Sequence, residues 1–296
     1  MASGYLQNKQ KLKGIRRMLF AVAVINALCT IMFGYVSSFF DSSLPLYIQS
    51  LVVGFLAYMI PILLYSFANG ITISVAKERF SLKACKLLPL LLAAVSGVCF
   101  QFVMVVVNLP MNLLLGGGGS YSPMSVYELI AAILIIGVMP AFFEEFLFRG
   151  IVYGSMAEFN TKAAAVFSAV MFALLHADIY GIVGYLLMGF VLAFILKRTG
   201  SLYSAMLFHF ANNLTAILLG FFNAELIYAP VTTIVLFVLG IIGFILTVLA
   251  IIFVCKKNKT DDKIKTSVLI GQSFINLPVV LCVAVIVLTA LITRNI

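Results

Sequence analysis

The sequence predicts an all-α protein, a polytopic bundle of about eight to nine transmembrane helices. Composition provides two of the observations that predict this class: 64% of the 296 residues are hydrophobic, and only 10% are charged. Soluble domains carry about a quarter charged residues, so the composition excludes a soluble fold. The third observation is that apolar runs follow one another with only short polar breaks. The chain is therefore predicted to form a single membrane-embedded domain.

About nine apolar runs approach the ~20 residues that a helix needs to cross a hydrocarbon core of ~30 Å. They cover residues 18–40, 51–76, 87–109, 129–156, 163–177, 182–196, 202–222, 230–254 and 267–292. The fifth and sixth runs are short, so we expect these helices to be tilted or partly buried among their neighbours. The first run is too long for a signal peptide and lacks a clear cleavage site, which predicts a retained helix.

The basic residues lie between the apolar runs and determine the predicted orientation. The formal net charge is +9, and threading nine spans places 18 of the 19 lysines and arginines on one side, with only Arg294 opposite. The predicted outer loops, which include residues 41–50 and 223–229, carry none. Because lysine and arginine collect in cytoplasmic loops, we expect this side and the N-terminus to be cytoplasmic. The charge thus indicates topology among membrane lipids, and it indicates no nucleic-acid partner.

Ionisable side chains inside the apolar runs are few, and each costs ~2.5 to 3.5 kcal/mol in a membrane span. They comprise Glu144, Glu145, Arg149, His176 and His209, with Asn213 one helical turn beyond the last. Residues four apart share a helix face, so Glu145 is predicted to pair with Arg149. Glu144 is turned about 100° away from its neighbour and is predicted to face an internal cavity.

A carboxylate and two imidazoles in a low-dielectric cavity suit hydrolysis. A carboxylate or an imidazole can deprotonate a water molecule, while the remaining donors stabilise an oxyanion. The same side chains, Glu144, His176 and His209, also form a His2Glu set of the kind that binds zinc with one open position. The sequence leaves both arrangements open. Counted from the basic side, His176 is expected nearer the outer surface than Glu144, unless its helix is tilted or begins late.

Two neighbours of His176 are assigned structural roles. Phe172 lies one helical turn before the histidine and is predicted to pack in the interior rather than react. Asp178 follows the histidine at the end of the fifth run and is interpreted as a solvated residue of an outer turn. The alternative for Asp178 is that it orients the imidazole.

Three short motifs occur in order on successive apolar runs. They are Glu144-Glu145-x-x-x-Arg149, Phe172-x-x-x-His176 and His209-x-x-x-Asn213. Together they resemble the motifs of the CAAX-protease and bacteriocin-processing (CPBP, or Abi) family of glutamate-type intramembrane proteases, which includes the eukaryotic endopeptidases that trim prenylated CaaX proteins. The resemblance covers residues 140–213, and the only two histidines of the chain fall on motif positions. It implies that the Glu145 and Arg149 side chains support the site.

For catalysis, the resemblance implies that Glu144 activates the attacking water together with His176, inside an intramembrane cavity. His209 and Asn213 would stabilise the tetrahedral oxyanion. No cofactor is favoured, and zinc held by Glu144, His176 and His209 is the alternative.

The resemblance divides the chain into a basic cytoplasmic segment (1–17), N-terminal transmembrane helices (18–127), a catalytic core (128–222) and C-terminal transmembrane helices (223–296). We expect an endopeptidase of a bacterial cytoplasmic membrane that acts on a membrane-associated or lipid-modified peptide or protein. Bacteriocin or pheromone processing, self-immunity and CaaX-type trimming all fit this expectation. Two other hypotheses remain: a non-proteolytic scaffold or immunity protein, and a proton-coupled transporter with Glu144 in the relay.

Overall fold

The computed structural model of the chain describes residues 2–37, 51–52, 54–115, 125–222, 230–255 and 263–293. Within these ranges the chain forms helices and turns and no β-strand. The predicted all-α class is therefore confirmed. The predicted outer loops 41–50 and 223–229, and the last residues of the first predicted span, lie outside the described ranges.

The helices follow the predicted apolar runs. In chain order they are α1 (Ala2–Ser37), α2 (Gly54–Ala68), α3 (Ile73–Arg79), α4 (Leu87–Leu115), α5 (Val126–Ala157), α6 (Thr161–Leu175), α7 (Ile182–Thr199), α8 (Leu202–Phe221), α9 (Pro230–Val254), α10 (Thr266–Phe274) and α11 (Leu277–Thr293). The first helix begins at Ala2, so it also contains most of the basic N-terminal segment.

Six helices in the described ranges are long and apolar enough to cross a membrane, namely those of α1, α4, α5, α7, α8 and α9. The count rises to eight if each of two bent helix pairs is one span. The predicted eight to nine spans are roughly consistent with this range. The shortness predicted for the fifth run is observed, because α6 has 15 residues. The chain is an integral, multi-pass membrane protein.

Two predicted spans are bent rather than straight. The second breaks after α2, and α3 leaves at 105°. Gly70 at the break has φ of +61°, a conformation that favours glycine, and Thr72 then caps α3 by accepting a hydrogen bond from the Val75 N–H. The ninth bends by 61° between α10 and α11, where Asn276 accepts a hydrogen bond from the Val279 N–H. In both places a capping side chain starts a new helix.

Glycines allow the helices that carry the site to pack closely. A Cβ atom at Gly97 of α4 would lie 2.2 Å from the carbonyl oxygen of Phe208 on α8. A Cβ atom at Gly189 of α7 would lie 2.7 Å from the Cα of Ala169 on α6. Small residues at such crossings are typical of helix packing in membranes. The two contacts fix α8 against α4 and α7 against α6.

One end of the bundle collects the basic segments. Glu158, in the turn after α5, contacts Lys11 of α1 at 2.6 Å and Arg79 of α3 at 3.4 Å. The backbone N–H of Lys263 donates to the carbonyl of Phe159 in the same turn. These contacts place on one side several segments that the threading predicted to share a side. Which membrane face this end occupies stays a prediction.

Candidate active site

Helix α5 is widened on both sides of its two glutamates. Residues Ile133–Val138 and Phe146–Tyr153 form π-helical turns, and the α-helical segment Met139–Glu145 lies between them. Such turns occur frequently at functional sites. Glu144 and Glu145 are both buried at the end of the intervening segment. The sequence analysis did not predict this widening.

Glu145 lies at the centre of a buried charge cluster. Its Oε1 accepts a hydrogen bond from Arg149 Nη1 at 3.0 Å and another from His209 Nδ1 at 2.9 Å. The Nη2 of Arg149 donates to the Gly189 carbonyl, and the guanidinium lies 4.3 Å from the centre of the Phe172 ring. The predicted Glu145 and Arg149 pair is present. His209 is bonded to Glu145, and it lines the same cavity as Glu144.

The burial of this cluster changes the assignment of Arg149. The threading counted Arg149 among the basic residues between the apolar runs, but its side chain is fully buried. An ionised carboxylate only accepts hydrogen bonds, so Nδ1 of His209 is the donor to Glu145. The remaining ring nitrogen, Nε2, is therefore left for the cavity that His209 lines.

His176 closes the end of α6 with its own side chain. The last carbonyls of a helix lack backbone partners, and Nδ1 of His176 lies 2.7 Å from the carbonyl oxygen of Phe172. Because a carbonyl only accepts, Nδ1 carries the proton. The other nitrogen, Nε2, then faces Oε2 of Glu144 at 3.6 Å. That separation is longer than a hydrogen bond, and the Glu144 oxygen has no hydrogen-bond partner among the described residues.

The prediction that His176 lies nearer the outer surface than Glu144 is wrong, because the two side chains are 3.6 Å apart. Helices α5 and α6 are antiparallel neighbours joined by the short turn 158–160. Glu144 precedes the end of α5 by about three and a half turns, and His176 follows the start of α6 by about four. Both side chains thus lie ~20 Å from the turn, at similar depth.

Asn213 contacts α5 at a backbone carbonyl one turn before Pro140. Pro140 has no N–H, so it cannot donate to the carbonyl of Ile136, four residues earlier. Nδ2 of Asn213 donates to that carbonyl at 3.2 Å. Asn212 was missed by the sequence analysis, although its spacing of three from His209 places it on nearly the same helix face. It is buried, and its Oδ1 has no hydrogen-bond partner among the described residues.

A second missed residue, Tyr185 of α7, stacks on His176. The two ring centroids are 4.0 Å apart and the planes differ by 21°. The Tyr185 hydroxyl donates to Oδ2 of Asp178 at 3.3 Å, and the Tyr180 N–H donates to Oδ1. Asp178 is therefore partly buried and bonded within the protein, rather than a solvated turn residue. Phe172 is fully buried, as its assigned packing role requires.

These side chains border a cavity of about 610 Å³. Its polar wall is formed by Glu144, His176, Tyr185, His209, Asn212 and Asn213. The remaining walls are mainly apolar and come largely from α4, α8 and α9, with Met104, Ile217 and Phe237 among them. The cavity therefore places a few hydrogen-bonding groups at one side of an apolar chamber, as ligand sites commonly do.

The proposed zinc set does not converge in this arrangement. The described ranges hold no group of three His, Cys, Asp or Glu side chains placed to hold a metal ion. Glu144 and His176 face each other, and His209, whose Nδ1 is bonded to Glu145, has only Nε2 available to the cavity. The steps proposed below use only protein side chains and water.

Comparisons with known proteins address the same part of the chain. Residues 126–215 match the family model described as "Type II CAAX prenyl endopeptidase Rce1-like". The matched residues contain all three motifs. This segment is similar to the CPBP family of membrane proteases. The chain is also 29% identical over 102 residues to "Putative membrane peptidase YdiL" of Bacillus subtilis (strain 168). That alignment covers 33% of this chain and 42% of the relative. No solved structure matches the chain.

The match to the CPBP family confirms the predicted resemblance, and it covers the helices that border the polar wall of the cavity. Glu144, His176, His209 and Asn213 all lie within the matched residues. Their individual roles in a reaction are not given by the match.

Proposed function

We propose that the chain is an intramembrane endopeptidase in which Glu144 and His176 activate a water molecule. The observation that carries the proposal is the 3.6 Å gap between Glu144 Oε2 and His176 Nε2 inside the cavity. Both facing atoms are acceptors when the imidazole is neutral, because Nδ1 of His176 is used on the Phe172 carbonyl. A water molecule beside the gap can donate one hydrogen to each, which aligns its oxygen for attack.

The proposed reaction is the hydrolysis of one peptide bond. The water oxygen attacks the carbonyl carbon while Glu144, assisted by His176, takes a proton. The carbonyl oxygen becomes an oxyanion in the tetrahedral intermediate. The C–N bond then breaks, and the proton held at the Glu144 and His176 pair passes to the leaving amine. One water is consumed, and a carboxylic acid and an amine are released.

His209 and Asn213 are the proposed oxyanion donors. With Nδ1 bonded to the Glu145 carboxylate, His209 can donate to the oxyanion from Nε2 when both ring nitrogens carry protons. Asn213 uses one amide hydrogen on the Ile136 carbonyl and retains a second. Preorganised donors of this kind stabilise charge most strongly in an apolar, water-poor chamber.

The proposed substrate is a membrane-associated or lipid-modified peptide or protein, because the chamber beside the polar wall is mainly apolar. The family description, which names a CAAX prenyl endopeptidase, supports this substrate class. The proposed location is a bacterial cytoplasmic membrane with the basic end on the cytoplasmic side. The similarity to a protein of Bacillus subtilis and the collected lysines and arginines support it. Bacteriocin or pheromone maturation, self-immunity and CaaX-type trimming remain the candidate roles.

Cleavage assays with the purified protein in liposomes test this proposal. A panel of unmodified and prenylated peptides would be compared for wild type, Glu144→Gln and His176→Ala, each with and without a strong chelator. Glu78→Gln is the matched control, because Glu78 is an exposed carboxylate on α3. We expect cleavage by wild type and the control, loss in both site variants, and no chelator effect.

The other two hypotheses give different outcomes. A scaffold predicts that no peptide is cleaved and that cells tolerate Glu144→Gln without a phenotype. A transporter predicts substrate flux coupled to a proton gradient, abolished by Glu144→Gln in the absence of any cleavage. Either result would refute the endopeptidase proposal. Chelator-sensitive cleavage would instead retain the endopeptidase and replace the metal-free mechanism.

A further inference from the structure

We infer that Tyr185 is a positioning residue that holds the imidazole of His176 with Nε2 toward Glu144. The inference begins from the stacking distance of 4.0 Å and interplanar angle of 21° between the two rings. Offset or near-parallel aromatic pairs at this distance are attractive beyond their burial of apolar area. Its catalytic consequence rests on the proposed function, whereas the positioning itself is a property of the fold.

Three contacts from two helices together fix the imidazole plane. Nδ1 is held by the Phe172 carbonyl at 2.7 Å, and the Phe172 ring approaches the imidazole edge with centroids 4.6 Å apart. Tyr185 of α7 covers one ring face. The Phe172 contacts come from the same helix as the histidine, so they move with it. Tyr185 is the contact that ties the ring to a second helix.

The turn before α7 is shaped to hold Tyr185. Ala177 adopts φ of 51°, a left-handed conformation that is uncommon for a residue with a side chain. This reverses the chain after His176 and brings Asp178 under the Tyr185 hydroxyl, which donates to it at 3.3 Å. A second bond, from the Tyr180 N–H at 2.9 Å, fixes the carboxylate.

Gly181 leaves the space in which these groups meet. A Cβ atom at this position would lie 2.5 Å from the Tyr185 ring and 2.7 Å from Oδ2 of Asp178. Any larger residue must therefore displace the phenol or the carboxylate. Four residues between Ala177 and Tyr185 thus act together. We call Ala177, Asp178, Gly181 and Tyr185 the tyrosine clamp.

Glu144, His209 and Asp178 are the other charged or titratable groups near the imidazole. Glu144 faces Nε2 from α5, and Asp178 lies behind the tyrosine. His209 is separated from His176 by the ring of Phe172, whose centroid is 4.6 Å from one imidazole and 5.8 Å from the other. Replacing Tyr185 retains these three groups and removes the ring that covers His176.

Histidine NMR tests the positioning independently of proteolysis. The chain has only two histidines, so selective labelling gives two sets of ring signals, and His209→Gln assigns them. A stacked aromatic ring shifts the protons of its partner. We expect Tyr185→Leu to move the His176 signals and leave those of His209, and Tyr185→Phe to retain the wild-type shift. Gly181→Ala keeps every side chain that touches His176 and should also move its signals.

Kinetics with any peptide that is cleaved tests the consequence. Misplacement of a catalytic group by ~1 Å costs about 100-fold, so we expect kcat to fall about 10- to 100-fold in Tyr185→Leu with KM unchanged. Tyr185→Phe should restore most of the rate. Tyr203→Leu, which removes an exposed tyrosine of α8, is the control and should match wild type.

The outcomes separate the two proposals. Unchanged His176 signals in both Tyr185→Leu and Gly181→Ala would overturn the positioning role. Moved signals with an unchanged kcat would also overturn it as a contribution to the reaction. If the signals move as expected while no peptide is cleaved by wild type, the clamp stands as a positioning device and the endopeptidase proposal fails.

Discussion

Two neighbouring glutamates on α5 differ in the partners of their carboxylates. One carboxylate oxygen of Glu145 accepts hydrogen bonds from both Arg149 and His209, at 3.0 and 2.9 Å. The side chain that faces Glu144 is His176, whose Nε2 lies 3.6 Å from Oε2. Oε2 has no hydrogen-bond partner among the described residues in either glutamate, so the difference lies in the two bonds that Glu145 makes through Oε1. We propose on this ground that the Glu145 cluster positions the site and that Glu144 takes part in the reaction.

Such a division has a physical basis. A buried charge without a partner is costly, so a carboxylate that supports a fold is expected to have a charged partner, as Glu145 has in Arg149. Glu144 lines the cavity, where its carboxylate can be hydrated or bound by substrate. Polar groups left open at a cavity are consistent with a functional site. Substitutions at the two glutamates should accordingly separate activity from stability.

The largest effect on cleavage is expected from a substitution of Glu144 alone. Glu144→Gln preserves the shape of the side chain and removes the base, so we expect cleavage to fall by about 100- to 10,000-fold, the usual contribution of general acid–base catalysis. Thermal unfolding in detergent should remain within a few degrees of wild type, because no hydrogen bond to Oε2 is lost. A large fall in stability in this variant would contradict the division between the two clusters.

A second prediction breaks the Glu145 side. Arg149→Met removes the guanidinium and leaves the fully buried Glu145 carboxylate with one partner fewer. Removing one partner of a buried ion pair costs about 3 to 5 kcal/mol, so we expect that loss in the free energy of unfolding, measured by detergent-induced denaturation.

The double variant Glu145→Gln with Arg149→Met checks the reason for that loss. It removes both charges, and we expect it to recover most of the stability. Activity should stay low in the double variant, because His209 no longer has a carboxylate at Nδ1. Equal destabilisation by the single and double changes would show that packing of the arginine, rather than its charge, stabilises α5.

The sequence was sufficient for the fold class and for part of this comparison. Long apolar runs predict helices, and a spacing of four predicts the pairing of Glu145 with Arg149. It was not sufficient for contacts between helices. The bond between His209 and Glu145 and the stack of Tyr185 on His176 join residues on different helices. The breaks at Gly70 and Asn276 were missed because hydropathy does not register local turn and cap geometry.

The depth of His176 illustrates the same limit. Counting along the fifth run gave the distance of His176 from the basic side. The site depends instead on the height of His176 relative to Glu144, which lies on the antiparallel neighbour α5. The short turn 158–160 sets that height, and Asn160 fixes it by capping α6 through a hydrogen bond from the Ala163 N–H. A pairing of α5 with α6 was needed before the two motif residues could be compared.

The smallest effect on stability and activity is predicted for Asn213, which contacts α5 and also lines the cavity. Asn213→Ala leaves the Ile136 carbonyl without its side-chain donor, so we expect a loss of about 1 to 3 kcal/mol in the free energy of unfolding, together with a lower kcat. Combining it with Pro140→Ala restores a backbone N–H four residues after Ile136. The combination should recover stability but not activity, if Asn213 has an oxyanion role besides its contact with α5.

Asn212→Ala is the matched control for this experiment, because Asn212 lines the same cavity and makes no bond to Ile136. Its effect on unfolding should be small, since Oδ1 has no hydrogen-bond partner among the described residues and Nδ2 makes one long bond, 3.4 Å, to Oδ1 of Asn213. Recovery of both stability and kcat in Asn213→Ala with Pro140→Ala would assign Asn213 wholly to positioning. His209 would then be the remaining proposed oxyanion donor. The side chains proposed to take part in the reaction would be Glu144, His176 and His209.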